Sequence, residues 1–204
     1  MIAVVDYGMG NLRSVAKALE AIGETACVTR RAEDIRAASH VVLPGVGAFG
    51  ECMANLRATG LVAVLDEEVN VGKKPFLGIC LGMQLLAAES EEGGPHAGLG
   101  WLPASVRRFG AAQDLKVPHI GWNDVRAETD SPLFKGVRQP VFYFVHSYYV
   151  DCADRSLVSA TCDYGITFPA AIVRDNVWAV QFHPEKSQVN GLRFLENFLT
   201  SRGA

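Results

Sequence analysis

Pro75-Phe76-Leu77-Gly78-Ile79-Cys80-Leu81-Gly82-Met83-Gln84 is a ten-residue stretch without a charge. Its first half, Pro75 to Ile79, is continuously apolar and shows no polar alternation, the pattern of a strand covered on both faces at the centre of a parallel sheet. The second half opens a helical pattern from Leu81 to Ala88, so the chain must reverse at Cys80. Gly78 and Gly82 stand two residues to either side of the cysteine and leave the backbone room for a sharp turn. A strand that runs straight into a helix is the repeating step of an α/β fold.

Upstream, the same step recurs. Ile2 to Asp6 reads as a strand, followed by the turn Tyr7-Gly8-Met9-Gly10 and a helix from Asn11 with Leu12, Val15, Ala16, Leu19 and Ile22 on one face. Asn11 is the expected N-cap and Gly23 the expected C-terminal stop. A strand over Thr25 to Thr29, a short helix near Glu33 to Ala37, a strand over His40 to Leu43 and helices near Phe49 to Arg57 and Leu61 to Val69 complete this half. After Glu89 the texture changes. Gly and Pro crowd Glu92 to Pro103, and strands over Val106 to Phe109, Val141 to Val145, Leu157 to Thr161, Ala170 to Arg174 and Val177 to Phe182 lack helices between them. They predict an antiparallel or mixed region, closed by an amphipathic helix from Ser187 to Ser201 with Leu192, Leu195, Phe198 and Leu199 on one face. The expected fold is a three-layer α/β domain, residues 1–204, with a mixed central sheet flanked by helices.

Composition narrows the function classes. With 204 residues, 49% of them hydrophobic, one sizeable core is expected. A net charge of −3 supplies no electrostatic footprint for nucleic acid or an anionic membrane. The start, MIAVVDYG, lacks a basic leader and no apolar run is long enough to span a bilayer, so a cytoplasmic protein is expected. The five cysteines are irregularly spaced without a CxxC, and no histidines stand at metal-ligand spacing, so neither disulfides nor a metal site is expected.

Chemistry concentrates at three places. Cys80 on its turn has the physical logic of a nucleophile elbow, sulfur replacing oxygen, with the Leu81 N–H positioned to meet a developing oxyanion. Phe182-His183-Pro184-Glu185 follows an apolar strand. Pro184 biases His183 towards an extended conformation, and residues two apart then face one side, so Glu185 can orient His183 as a base. The loop Pro44-Gly45-Val46-Gly47-Ala48-Phe49-Gly50 can present backbone N–H groups to an anion or serve as a simple βα turn. It lacks Gly-Lys-Ser/Thr, and Gly8-x-Gly10 lacks a third glycine, so no nucleotide cofactor is expected.

In this order and over nearly the whole chain, the three motifs resemble those of class I, triad-type glutamine amidotransferases, whose fold is flavodoxin-like. Asp6-Tyr7-Gly8-Met9-Gly10-Asn11-Leu12, Lys116-Val117-Pro118-His119-Ile120-Gly121-Trp122-Asn123 and Tyr143-Phe144-Val145-His146-Ser147-Tyr148-Tyr149 resemble, more narrowly, the glutaminase subunits of imidazole glycerol phosphate synthases. The resemblance implies Cys80, His183 and Glu185 as the catalytic triad and an oxyanion hole from Leu81 and the Val46–Gly47 loop. It implies glutamine held by Gly47, Gln84, Ser147 and Tyr148, no cofactor, and a (β/α)8 cyclase subunit that receives ammonia for histidine biosynthesis. Pro118, His119, Trp122, Asn123 and Lys186 would face that partner. The segment from Pro118 to Asn123 has neither helical nor alternating pattern and is expected as a loop, with Trp122 either a contact or a core anchor. The rivals are the glutaminase subunits of anthranilate and aminodeoxychorismate synthases, which usually carry His at the Met83 position, that of pyridoxal phosphate synthase, and a non-catalytic flavodoxin-like module.

Overall fold

The computed structural model describes residues 1–110, 115–127 and 131–200. The first half alternates β1 (Ile2–Val5), α1 (Leu12–Ala21), β2 (Ala26–Thr29), α2 (Ala32–Ala37), β3 (His40–Gly45), α3 (Phe49–Ala58), α4 (Leu61–Leu65), a π-helical turn (Asp66–Val71), β4 (Phe76–Cys80) and the single turn α5 (Leu81–Gln84). The second half is mostly strand: β5 (Ala87–Ser90), β6 (His96–Ala97), β7 (Leu102–Arg108), β8 (His119–Ala127), β9 (Val141–His146), β10 (Tyr148–Cys152), β11 (Val158–Asp163), β12 (Thr167–Arg174) and β13 (Val177–Val180), before α6 (Gln188–Thr200). The expected closing helix therefore holds to Thr200, and Ser201 lies outside the described residues.

Nine strands form one mixed sheet in the order β2-β1-β3-β4-β13-β12-β11-β8-β9. The pairs from β2 to β13 are parallel and those from β13 to β9 antiparallel. Side chains alternate across the parallel half. Ala3, Val5, Val41, Leu43, Phe76, Val177 and Ala179 join one core with Phe49, Cys52, Met53 and Leu56 of α3. Ile2, Val4, Val42, Leu77, Ile79, Trp178 and Val180 join the other with Val15 and Leu19 of α1 and Phe194, Leu195 and Phe198 of α6. With apolar helices on both faces, every residue of β1, β4 and β13 is buried, which is why these strands carry no polar alternation. Phe182, wholly buried and stacked on Phe142 at 4.1 Å, ties the parallel half to the antiparallel one. Truncating such a ring costs roughly 3–5 kcal/mol.

Two expectations need correction. The helix from Leu81 ends at Gln84, because Ala87 to Ser90 pair instead with β7 and β6 in a second, four-stranded sheet, β10-β7-β5-β6. Leu81 to Ala87 are buried throughout, and an all-buried run has no period from which to tell helix from strand. The segment from Pro118 to Asn123 is no loop from His119 onward: it opens the nine-residue strand β8, paired to β9 with Trp122 opposite Tyr143. No described helix is long and apolar enough to cross a membrane.

Candidate active site

Parallel strands β3, β4 and β13 are neighbours, and the C-terminal ends of parallel strands are where α/β sheets place their ligands. These ends deliver Val46 and Gly47, Cys80, and Gln181 to His183. The turn after β9 adds His146, Ser147 and Tyr148. Of these, Val46, Gly47, Cys80, His183 and the His146–Tyr148 turn line one pocket of about 450 Å³ with Leu81, Gln84, Glu92, Pro118, Val145 and Lys186.

Cys80 sits at φ 56°, ψ −110°, a backbone conformation that L-residues rarely adopt. The strain persists because the turn is pinned. A Cβ on Gly82 would lie 1.9 Å from the Leu43 carbonyl oxygen, and one on Gly78 2.8 Å from that of Gly82, so α5 presses on the end of β3 with no side chain between. Only one helical turn, Leu81–Gln84, follows Cys80, and its side chain makes no cap hydrogen bond to that turn. The Sγ atom accepts from Gln181 Nε2 at 3.7 Å and lies 4.0 Å from the Val145 carbonyl oxygen.

His183 Nδ1 bonds Glu185 Oε1 at 2.8 Å, both side chains being almost wholly buried. A carboxylate there accepts the Nδ1 hydrogen, which leaves Nε2 to face the pocket, and Nε2 has no hydrogen-bond partner among the described residues. Burial pulls the imidazolium down, but the neighbouring Cys80 and then Glu185 outweigh it and lift the His183 pKa to about 10. The turn itself is tied to β9: His183 N–H donates to the Tyr143 carbonyl at 2.9 Å, Tyr143 N–H to Ser187 Oγ at 3.0 Å, and Ser187 Oγ to the His183 carbonyl at 2.6 Å. Asn11 stands at the N-cap of α1 as expected, but its side chain makes no cap hydrogen bond. Its Nδ2 donates instead to Glu185 Oε1 at 3.3 Å, so the turn at the end of β1 orients the carboxylate.

At the opposite wall, Gly47 has φ +101°, open to glycine and strained for other residues. The Val46 carbonyl accepts from the Cys52 thiol at 3.4 Å. Because N–H and C=O point to opposite sides of a trans peptide, the Gly47 N–H is turned away from α3. Gln84 lines the pocket, yet both its amide hydrogens are engaged, with the Tyr148 carbonyl at 2.9 Å and Gln181 Oε1 at 3.0 Å, so only its oxygen is offered inward.

Of the residues expected at a partner surface, Trp122 is 48% exposed, which decides against a core anchor, and it packs edge-on against Tyr143 at 6.0 Å. Lys186 lies over the Tyr143 ring at 5.7 Å, and Pro118 is exposed at the pocket mouth. His119 differs. It is 2% exposed and bonds His146 at 3.0 Å, so it cannot meet a partner directly, while Asn123 is half-buried and bonds His119 at 3.3 Å. Sequence reasoning missed Gln181, a fully buried amide inside the apolar run Val177 to Phe182, where a polar interruption was the available signal. It also missed Glu92, the pocket's carboxylate near Gly47, which accepts the Phe49 N–H at 2.8 Å.

Residues 3–201 match the class-I glutamine amidotransferase family model. The chain is 54% identical, over 97% of its length and 98% of the relative's, to the imidazole glycerol phosphate synthase subunit HisH of Syntrophotalea carbinolica. It is 48% identical to a HisH 1 subunit of the same synthase from Campylobacter jejuni, over 98% of this chain and 99% of that one. A crystal structure titled as a glutamine amidotransferase superposes with a TM-score of 0.76 at 22% identity, covering 98% of this chain and 97% of that one, which supports the fold alone. A match across nearly the whole chain, with relatives at this identity, makes the protein a member of the class-I glutamine amidotransferases and, within them, of the HisH subunits of imidazole glycerol phosphate synthase.

Proposed function

We propose that this chain, as one glutaminase unit over residues 1–204, hydrolyses glutamine through a Cys80 thioester and passes the ammonia to a (β/α)8 cyclase subunit for histidine biosynthesis. The observation that carries the reading is that Cys80 and His183 line one pocket while Glu185, behind His183, binds its Nδ1 at 2.8 Å and leaves Nε2 free of other partners among the described residues.

Cys80 Sγ attacks the side-chain amide carbon, and His183 delivers its proton to the departing ammonia. His183 then takes a proton from water, which cleaves the γ-glutamyl thioester to glutamate. Each step passes an oxyanion, held by the Leu81 N–H and the N–H of the Val46–Gly47 loop, a role worth roughly 3 kcal/mol per donor. Glutamine is gripped by Gly47, the Gln84 oxygen and the Ser147–Tyr148 backbone, and Glu92 supplies the negative wall that suits its ammonium group.

Ammonia released into water is protonated and loses its nucleophilicity, so a partner must enclose the exit. Pro118 and Lys186 line the pocket near exposed Trp122 and half-buried Tyr143, an aromatic patch that supports the reading that a cyclase seals the exit there. The test is a glutaminase assay with and without the cyclase, alongside labelling of Cys80 by a glutamine-mimicking electrophile. Glutamine should compete with the label and the cyclase should raise turnover. Unprotected labelling, or no hydrolysis in the complex, would defeat the reading.

A further inference from the structure

The apolar strand β13 continues into Gln181, which is 0% exposed yet carries an amide that must be satisfied inside the core. Its orientation can be derived from one backbone carbonyl. The Tyr148 oxygen can only accept, so the Gln84 atom 2.9 Å from it is the amide nitrogen. The second hydrogen of that nitrogen faces Gln181 at 3.0 Å, so Gln181 must turn its oxygen to Gln84. Its own nitrogen then faces Cys80 Sγ at 3.7 Å.

The Tyr148 carbonyl is fixed from its other side as well. It accepts from His146 Nδ1 at 2.7 Å, so His146 Nε2 is an acceptor, His119 Nδ1 donates to it at 3.0 Å, and Asn123 Nδ2 donates to His119 Nε2 at 3.3 Å. Asn123 is itself held by the Asp163 carbonyl at 3.1 Å. Every donor direction in this chain follows from carbonyls at Asp163 and Tyr148, and no member can flip without leaving a buried polar atom unpaired.

Building on the proposed role of Cys80 as nucleophile, we infer that Gln181 is a positioning residue that holds the Cys80 sulfur as a thiolate, its amide locked in the donating orientation by Gln84, Tyr148 and the His146–His119 pair. When the Cys80 proton moves to His183 Nε2, the sulfur gains a charge and the imidazole becomes imidazolium. A thiolate beside the Val145 carbonyl alone meets a repulsive dipole, and the Gln181 N–H is the donor that offsets it. A thiol, by contrast, can donate to Val145 or His183 and gains little from Gln181. The bond therefore favours the reactive state over the resting one.

The test uses the full chain and follows site-resolved alkylation of Cys80 by iodoacetamide across pH, with the thermal midpoint as a folding control. Gln181→Glu keeps an oxygen for Gln84 but turns another towards the sulfur, and should move the alkylation profile up by roughly one to two pH units. Gln181→Met should move it by less in the same direction, and both should lower kcat with KM little changed. An unshifted profile in either folded variant overturns the inference. In the unmodified protein, the Gln181 side-chain NH₂ resonances should track the Cys80 titration and lose that response in Cys80→Ala; indifference to Cys80 likewise overturns it, even where a variant fails to fold. Because alkylation reports the sulfur rather than turnover, loss of glutamine protection in the unmodified chain would count against the glutaminase reading, separately from these outcomes.

Discussion

Strands β1, β4 and β13 bury every residue, whereas β8 and β9 alternate buried with accessible positions. The parallel region is closed by helices on both faces, so it can hold Cys80 in a strained conformation and keep His183 and Glu185 dry. The antiparallel region has one open face, and there Trp122 and Tyr143 sit exposed or half-exposed beside Lys186. Between the two lies the pocket, whose Cys80 comes from one region and whose His146–Tyr148 wall comes from the other. The contrast teaches that a strained, buried turn and an accessible aromatic face are drawn from opposite halves of one sheet, joined by hydrogen bonds from Tyr143 to the His183 turn.

The largest expected effect tests whether chemistry belongs wholly to the parallel region. Cys80→Ala should lower glutamine-dependent synthesis by 10⁴-fold or more, in order of magnitude, while ammonia-dependent synthesis by the complex persists. Loss of both in a folded complex would break the division. The same variant tests the electrostatics. Cys80, ahead of Glu185, lifts His183 against the pull of burial, so NMR should find His183 titrating near 10 in the unmodified chain and lower in Cys80→Ala. A folded-state pKa raised this way contributes stability below the unfolded value of 6.5 and loses it as pH climbs through about 10; in the variant that contribution should shrink.

Gly82→Ala probes the packing that sustains the strain. A methyl 1.9 Å from the Leu43 carbonyl has only backbone to displace, so denaturant unfolding should show a loss of about 3 kcal/mol or more. A near-neutral result would mean that α5 can lift from β3, and that the Cys80 turn is not pinned as described.

These two regions also differ in how far the sequence discloses them. Strands β3, β4 and β13 are legible because both faces are apolar, and the glycines around Cys80 disclose the turn. Strand β8 is hidden for a physical reason: its inward positions include His119, Gly121 and Asn123, so the face that should read apolar reads polar. Those residues face inward because they form the chain that ends at Tyr148, and a buried polar network erases the pattern by which strands are recognised. Asn11 does stand at the N-cap of α1, but that its side chain reaches Glu185 rather than capping the helix cannot be told in one dimension. Cys80, His183 and Glu185 stand out in the sequence by their motifs, whereas Gln181 and Glu92 depend on which strands become neighbours.

A smaller effect concerns the histidine pair. Burial pushes His119 down to about 4 and His146 to about 3, although the Tyr148 carbonyl works against the shift in His146. Both folded values lie below 6.5, so the pair contributes stability that is full above pH 6.5 and is lost as pH falls through about 4 and 3. Imidazole NMR should show both rings neutral at pH 5.5, with hydrogen on Nδ1 in each. A charged ring at that pH would break the derived chain of donors and return β8 to an ordinary half-exposed strand.

The smallest expected effect on the folded chain comes from Trp122→Ala, and its smallness is the point. Trp122 is 48% exposed and touches Tyr143 edge-on, so its removal forfeits little burial and should change unfolding stability by under about 0.5 kcal/mol. If the open face of β8 and β9 meets the cyclase, the same ring becomes a buried anchor in the complex, where truncation costs roughly 2 kcal/mol or more, about thirtyfold in affinity. The two measurements separate the alternatives. A stability loss as large as the affinity loss would make Trp122 part of the core despite its exposure, and unchanged affinity together with an unchanged ratio of glutamate to product would move the partner to another surface. The expected result is stability intact and affinity reduced, because an aromatic ring held in place by its cross-strand neighbour pays little entropy when a second surface covers it.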